Sequence, residues 1–271
     1  MPDQKNPFRP NRPFRAEKRS DSDSSPGDLI FGLRPLIEAV RAGKEMDKVL
    51  VQKGLKGELF HELRALLQDF QIPYQIVPIE KLDRITRGNH QGVIAFASPI
   101  SFADLDSVIS EIFNRGRVPK LLLLDEVTDV RNFGAICRTA ECQGFDAVII
   151  PEKGSAAINA DAVKTSAGAL LHLNVCRVKS LKSIAKTLQE SGIKLLAASE
   201  KGEKNLAGID MTIPICIIMG SEERGVHPDI IKTADYLVQI PMFGKTSSLN
   251  VSVAAGIFMY EVNRQRIGSK Y

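Results

Sequence analysis

The 271-residue chain has no tryptophan, only four tyrosines, four cysteines and four histidines, and no apolar run long enough to span a bilayer. Its opening, MPDQKNPFRPNRPFRAEKR, lacks the apolar centre of a secretory signal. A cytoplasmic protein with no membrane segment is therefore expected. Cys137, Cys142, Cys176 and Cys216 form no CxxC pair and no dense array, which excludes a disulfide scaffold or a zinc ribbon. Cys137 and Cys142 read as packing groups on one helix. His61, His90, His172 and His227 include no His-x-x-x-His pair, so no metal is expected. GxGxxG is absent, and FGKTS falls short of a phosphate loop because Gln239 stands where its first glycine is required. Dinucleotide-dependent and nucleotide-hydrolysing classes are thereby set aside. The 36 Lys and Arg against 32 Asp and Glu give a formal charge of +4, too small to identify a nucleic-acid partner without its distribution.

What is present divides into four stretches. Residues 1–26 carry six basic and four acidic side chains among prolines and serines, a local charge of 6 − 4 = +2, and read as a flexible basic tail. Residues 27–100 alternate helical and strand patterns in a small α/β unit. LIFGLRPLIEAVRAG, KVLVQ, GELFHELRALLQDF, YQIVP and GVIAFA are its elements. Its KLDRITRGNHQG segment gathers Arg84, Arg87 and His90 near two glycines, either as an RNA contact or as a charged surface turn. Residues 101–118 read as a connecting helix and linker, with Ser101 and Asp104 as a capping pair. From 119 to 271 the strands KLLLLD, DAVII, LNVCRV, IKLLAAS, PICIIM and YLVQI recur between helices. Short Val, Ile and Leu runs in that rhythm predict a mostly parallel buried sheet.

Three segments fall where predicted strands give way to loops and helices: DEVTDVRNFGAICRTAE, MGSEERG and PMFGKTSSLNVSVAAG. Crevices outside the carboxyl ends of parallel strands bind ligands, so the three predict one assembled pocket. Asn132 fits the N-cap of its helix, which leaves Arg138 nearly two turns inside and not necessarily on the same side. Arg138 is then either a functional cation or a structural partner of an acid. Glu222, the stronger candidate of its pair with Glu223, is either an orienting acid or part of an acidic surface turn. Ser247 or Ser248 caps the last helix in one reading, with Asn250 the weaker candidate for that role.

In these motifs the chain resembles the SpoU/TrmH RNA 2′-O-methyltransferases of the SPOUT group. Their order, Asn132 to Ala140, Gly220 to Gly225 and Ile240 to Ala254, is most similar to the bacterial 23S rRNA guanosine 2′-O-methyltransferase branch. The resemblance spans about residues 29–265 and is more specific in its second half. It implies an α/β fold with a trefoil-knotted, parallel-sheet SPOUT domain after a smaller L30e-like RNA-binding domain, assembled as a homodimer through the C-terminal domain. It implies transfer of a methyl group from S-adenosylmethionine to a ribose 2′-hydroxyl, on 23S rRNA or, alternatively, on tRNA. An inactive ribosome-assembly protein is the remaining alternative.

By the same resemblance, Asn132, Arg138, Glu222, Ser248 and Asn250 form the catalytic set, and Met219, Gly220, Ile240, Met242, Ser248, Leu249 and Asn250 hold the cofactor. Gly220 is implied to let backbone approach that cofactor. Arg138 would also face the RNA, either stabilising the developing alkoxide or acting in a transiently neutral form. Val130 departs from the proline usual in the family after the first motif's aspartate.

Overall fold

The computed structural model describes residues 29–202, 204–246 and 248–268; the tail expected over residues 1–26 and Ser247 lie outside them. Among the described residues, a four-stranded sheet forms first, in the order β1 (Leu29–Phe31), β4 (Val93–Ala97), β2 (Met46–Gln52), β3 (Tyr74–Val77). β4 pairs antiparallel with both neighbours, and β2 and β3 run parallel. α1 (Leu33–Arg41) and α2 (Glu58–Asp69) cover one face, burying Leu36, Ile37, Val40, Leu63 and Leu67 against Val49 and Val51. α3 (Ile79–Ile85) closes the other face with Leu82 against Leu50 and Ile94.

The larger sheet has seven strands, all parallel. Its order is β7 (Asn174–Val178), β6 (Ala147–Pro151), β5 (Lys120–Leu124), β10 (Ile215–Met219), β8 (Lys194–Ala198), β11 (Tyr236–Gln239), β9 (Lys204–Asn205). All six strands expected from the apolar runs are present, because strands buried on both faces read as continuous Val, Ile and Leu. The seventh, β9, is a two-residue edge strand with no apolar signal. α5 (Val130–Cys142), α6 (Ala160–Thr165) and α9 (Val251–Gly268) pack on one face. α7 (Leu181–Glu190) and α8 (Pro228–Ile231) pack on the other. Burial pushes the thiols of Cys137 and Cys216 up and that of Cys176 up to about 12, as befits packing groups, while Cys142 is exposed.

α4 (Leu105–Asn114), expected as a connector, packs into the larger unit. Leu105, Val108, Ile109 and Ile112 lie against Leu121, Leu123 and Ala147 in one core. Its cap is Asp104 alone, whose carboxylate accepts from the Ser107 N–H at 2.9 Å; Ser101 takes no part in it. Among the described residues no helix is long and apolar enough to cross a membrane.

Candidate functional site

The strand order reverses between β5 and β10: the chain runs outward through β6 and β7 on one side and occupies β8, β11 and β9 on the other. In open α/β sheets such a reversal leaves a crevice at the carboxyl ends of the strands. The loops after β5, β8, β10 and β11 all open there.

After β5, the Asp125 N–H donates to the Met219 carbonyl at 2.8 Å, and its buried carboxylate accepts from the His227 N–H at 2.7 Å. Those two bonds bind the first loop to the third. Burial raises the Asp125 carboxyl above its ordinary range, against the opposing pull of the His227 hydrogen bond. Asp129 then starts α5, its carboxylate accepting from the N–H groups of Arg131 at 2.7 Å and Asn132 at 3.0 Å. The cap is therefore Asp129 and not Asn132, because the Asp129 carboxylate satisfies two of the helix's free donors at once. Asn132 lies in the first turn, with its side-chain amide free for another task. At Gly134 a Cβ would stand 2.6 Å from Thr165 Cβ and 3.0 Å from Ser166 N, so α5 meets the end of α6 at glycine distance.

After β10 the chain turns back on itself. Ser221 and Gly225 exchange backbone hydrogen bonds at 3.1 and 2.9 Å, and Gly225 has φ +68°. A Cβ on Gly220 would lie 2.0 Å from Gly225 C and 2.1 Å from Val226 N. The glycine is thus required by the loop's own return, whereas the sequence reading assigned it to the approach of a cofactor. After β11, the cap of α9 is Asn250, whose Oδ1 accepts from Ser252 N at 2.9 Å and Val253 N at 3.4 Å. Ser248, a cap in one reading of the sequence, is exposed further up the loop.

Three side chains from the three motifs close into a triangle. Asn132 Nδ2 donates to Glu222 Oε1 at 3.0 Å, Asn250 Nδ2 donates to the same oxygen at 2.6 Å, and Asn250 Nδ2 also reaches Asn132 Oδ1 at 3.0 Å. Glu222 is the only charged member, and a charged acceptor strengthens both bonds to it. Beside the triangle runs a cleft of about 660 Å³, lined by Met219, Gly220, Ile240, Met242, Ser248 and Leu249 among others, with Glu222 at its rim. A second cavity of about 400 Å³ adjoins it and is lined by Asn132, Asp129 and again Glu222. The cleft also uses Ala198 to Lys201 after β8, a stretch the sequence reading missed. Its one available signal was Gly202, where a Cβ would stand 2.5 Å from Gln239 N.

Arg138 is exposed and borders neither cavity, and among the described residues it makes no ion pair with an acid. In the small unit, Arg84 and Arg87 are exposed. His90, expected to face RNA, is 8% exposed. Its Nε2 lies 3.0 Å from Asp83 Oδ1 on α3, and its Nδ1 accepts from the Gly92 N–H at 3.0 Å, so the ring ties its loop to α3. No cluster of three or more His, Cys, Asp or Glu suited to a metal occurs among the described residues.

Comparison with known proteins places this geometry. The SpoU rRNA Methylase family model matches residues 119–260, and a model described as RNA 2′-O ribose methyltransferase substrate binding matches residues 29–103. A Staphylococcus saprophyticus protein assigned to the TrmH family of tRNA/rRNA methyltransferases is 34% identical over 244 residues, covering 89% of this chain and 98% of that protein. Its Bacillus subtilis counterpart YacO is 32% identical, covering 88% and 96%. Among solved structures, the SpoU methyltransferase AviRb from Streptomyces viridochromogenes, in complex with the cofactor AdoMet, superposes with a TM-score of 0.57. It is 27% identical and covers 89% of this chain and 90% of its own.

Proposed function

The chain belongs to the SpoU rRNA methylase family, and we propose that it methylates the ribose 2′-hydroxyl of a guanosine in 23S rRNA. It is an S-adenosylmethionine-dependent RNA methyltransferase; the choice of RNA and nucleotide is the proposal. The triangle of Asn132, Glu222 and Asn250 beside the cleft supports the reading of the transfer site, and the substrate-binding unit that precedes it supports the choice of rRNA. That cleft fits an amphipathic nucleoside cofactor. It offers the apolar walls of Met219, Ile240, Leu249 and Phe258, while the turn at Gly220 brings backbone polar groups to its edge.

When bound, the cofactor supplies an electrophilic methyl group on a cationic sulfur. Ile240, Met242, Ser248 and Leu249, together with Met219 and Gly220, line the cleft and would hold it. Asn132, Glu222 and Asn250 fix the ends of α5 and α9 relative to that cleft. A weak hydroxyl nucleophile gains most from alignment, which such a lock supplies without a metal. The Arg138 guanidinium aligns the ribose and stabilises the alkoxide that develops as the hydroxyl passes its proton to an RNA phosphate oxygen, while the methyl group leaves the sulfur for the ribose oxygen and S-adenosylhomocysteine departs.

Arg138 lies off both cavities of one chain, which supports a homodimer as the working form. Val253, Tyr260 and Ile267 follow one another at two-turn intervals on the exposed side of α9, and Phe243 on the preceding loop is 97% exposed. Such an apolar stripe fits a second copy of the chain. The trefoil knot implied by the resemblance is part of this reading, supported by the insertion of β10 between β5 and β8. The small unit supports a structured rRNA substrate, with Arg84 and Arg87 exposed for RNA.

Incubation with S-adenosylmethionine and either unmodified 23S rRNA or tRNA, followed by nucleoside mass spectrometry and position mapping, tests the proposal. One 2′-O-methylguanosine in 23S rRNA is expected, with R138A retaining cofactor binding and losing about 10²-fold or more of transfer. Selective modification of tRNA would reject the rRNA assignment, and methylation of a base would reject the reaction.

A further inference from the structure

The two sheets meet at one buried ion pair. Arg177 lies on β7, the edge strand of the larger sheet. Its Nη1 donates to the carbonyls of Met46 and Asp47, both at 3.1 Å, and its Nη2 donates to Asp47 Oδ1 at 2.7 Å. The guanidinium also lies over the Phe102 ring, 3.7 Å from its centroid. The side chains of Arg177 and Asp47 are 9% and 10% exposed. The Arg177 Nε is buried with no hydrogen-bond partner among the described residues. A single cation thus reaches three acceptors of the small unit and stacks on the segment that joins the units, an arrangement a lysine's point charge cannot reproduce.

Asp47 continues the connection, because the backbone of Ile158 lies close enough to its carboxylate to favour the charged form. Ile158 precedes Asn159, the N-cap of α6, and α6 ends against α5 at Gly134. α5 is the helix that carries Asn132 and Arg138. The small unit is therefore tied, through one buried pair, to the segment on which the methyl-transfer helix rests. Buried ion pairs contribute little net stability but hold groups in one geometry, and breaking one strands a buried charge.

We propose that Arg177, acting through Asp47, is a positioning residue that sets the orientation of the RNA-binding unit relative to the methyl-transfer site, and so decides which nucleotide of a bound RNA reaches that site. The proposal rests on the RNA-methyltransferase reading above. Losing the clamp leaves each unit its own ligand but removes their fixed geometry. The turnover rate therefore changes more than either affinity, since misplacement by about 1 Å can cost 10²-fold in rate.

The test compares the full-length wild type with R177A and R177K, measuring S-adenosylhomocysteine affinity by calorimetry, KM and kcat on the RNA the wild type accepts, the modified positions, and the radius of gyration by small-angle scattering. For R177A, cofactor affinity and KM should stay within a few-fold of wild type, while kcat falls about tenfold or more, minor products arise at neighbouring nucleotides and the radius of gyration increases. R177K should fall between the two. If R177A does not fold, Phe102→Leu and Asp47→Asn take its place with the same readouts. Wild-type kcat and a single unchanged position in a folded variant would overturn the proposal, as would loss of cofactor binding in parallel with activity. Wild-type protein that methylates neither rRNA nor tRNA would instead reject the functional reading itself.

Discussion

Asn250 does two things at once, and substituting it two ways separates them. Its Oδ1 caps α9, and its Nδ2 completes the triangle with Glu222 and Asn132. N250A removes both. The lost cap costs about 1 kcal/mol, which for a chain of this size lowers the melting temperature by roughly 2–4 °C. The Glu222 to Asn132 bond survives, so transfer should fall about tenfold, the equivalent of about 1.4 kcal/mol. N250D keeps an oxygen at the cap position, and an acid at a helix N-terminus is favoured by about 0.3–1 kcal/mol. It should therefore melt above N250A.

In N250D, however, a carboxylate oxygen replaces the donor that stood 2.6 Å from Glu222 Oε1. Two unit charges at that range repel by about 2–6 kcal/mol at effective dielectric constants between 80 and 20. Glu222 swings away and takes the Asn132 bond with it, so transfer should fall about 10²-fold, further than in N250A. The two rankings cross: N250D is the more stable variant and the less active one. Adding E222Q to N250D removes the like charge and offers an amide donor to the new carboxylate, which should recover about tenfold of the lost rate. Melting curves and methyl incorporation on the same preparations check this. Equal activity losses in N250A and N250D, or no recovery on adding E222Q, would refute the organising role of the triangle.

G220A should be among the most damaging small substitutions, because its Cβ would meet Gly225 C at 2.0 Å and nothing but backbone can move. A stability loss of roughly 1–3 kcal/mol and weaker S-adenosylhomocysteine binding, read by calorimetry, are expected. D125N should remove a loss of stability that accompanies rising pH in the acid range. Burial raises the Asp125 carboxyl above its ordinary 3.8, so the native state holds a proton the unfolded chain has released, and stability falls as pH rises from 3.8 through the native value. D125N keeps an oxygen for the His227 N–H, and melting temperatures of the two proteins that stay parallel across that range would contradict the argument. Trimming the chain to begin at Pro99 should preserve cofactor binding, whereas beginning it at Pro119 should unfold it. The second cut removes Leu105, Val108, Ile109 and Ile112 from the core, each worth about 1.5–3 kcal/mol against a total stability of about 5–15 kcal/mol. Circular dichroism of the two fragments decides it.

The strands were legible because their signal is local. Leu121 to Leu124 form a buried run whatever pairs with them, and Val148 to Ile150 likewise. α4 was legible as a helix but not in its allegiance, since an apolar stripe says that a face is buried and not what covers it. The caps failed for a similar reason. Asp129, Asn132, Ser248 and Asn250 are all competent cap residues, and which one acts depends on where the backbone leaves the helical path. His90 sits among arginines in sequence, yet one bond to Asp83 on α3 and one to Gly92 in its own loop turn it inward.

The site residues were found by motif resemblance, but their arrangement could not be read from the motifs. The triangle joins residues 90 and 118 positions apart, and no periodicity encodes which donor meets which acceptor over that range. The same distance explains why Arg177 drew no attention: in LNVCRV it is a polar interruption of an apolar strand, at odds with the surrounding pattern. A cation placed where the pattern requires an apolar side chain must be desolvated, and burial does oppose its charge while Asp47 supports it. A strand at the sheet's edge tolerates that cost only if the cation's partners come from outside the sheet, and here they come from the other unit. The one charged residue of β7 is therefore the one that reports a contact between units, and such interruptions in edge strands are where an interface can be sought in a sequence of this kind.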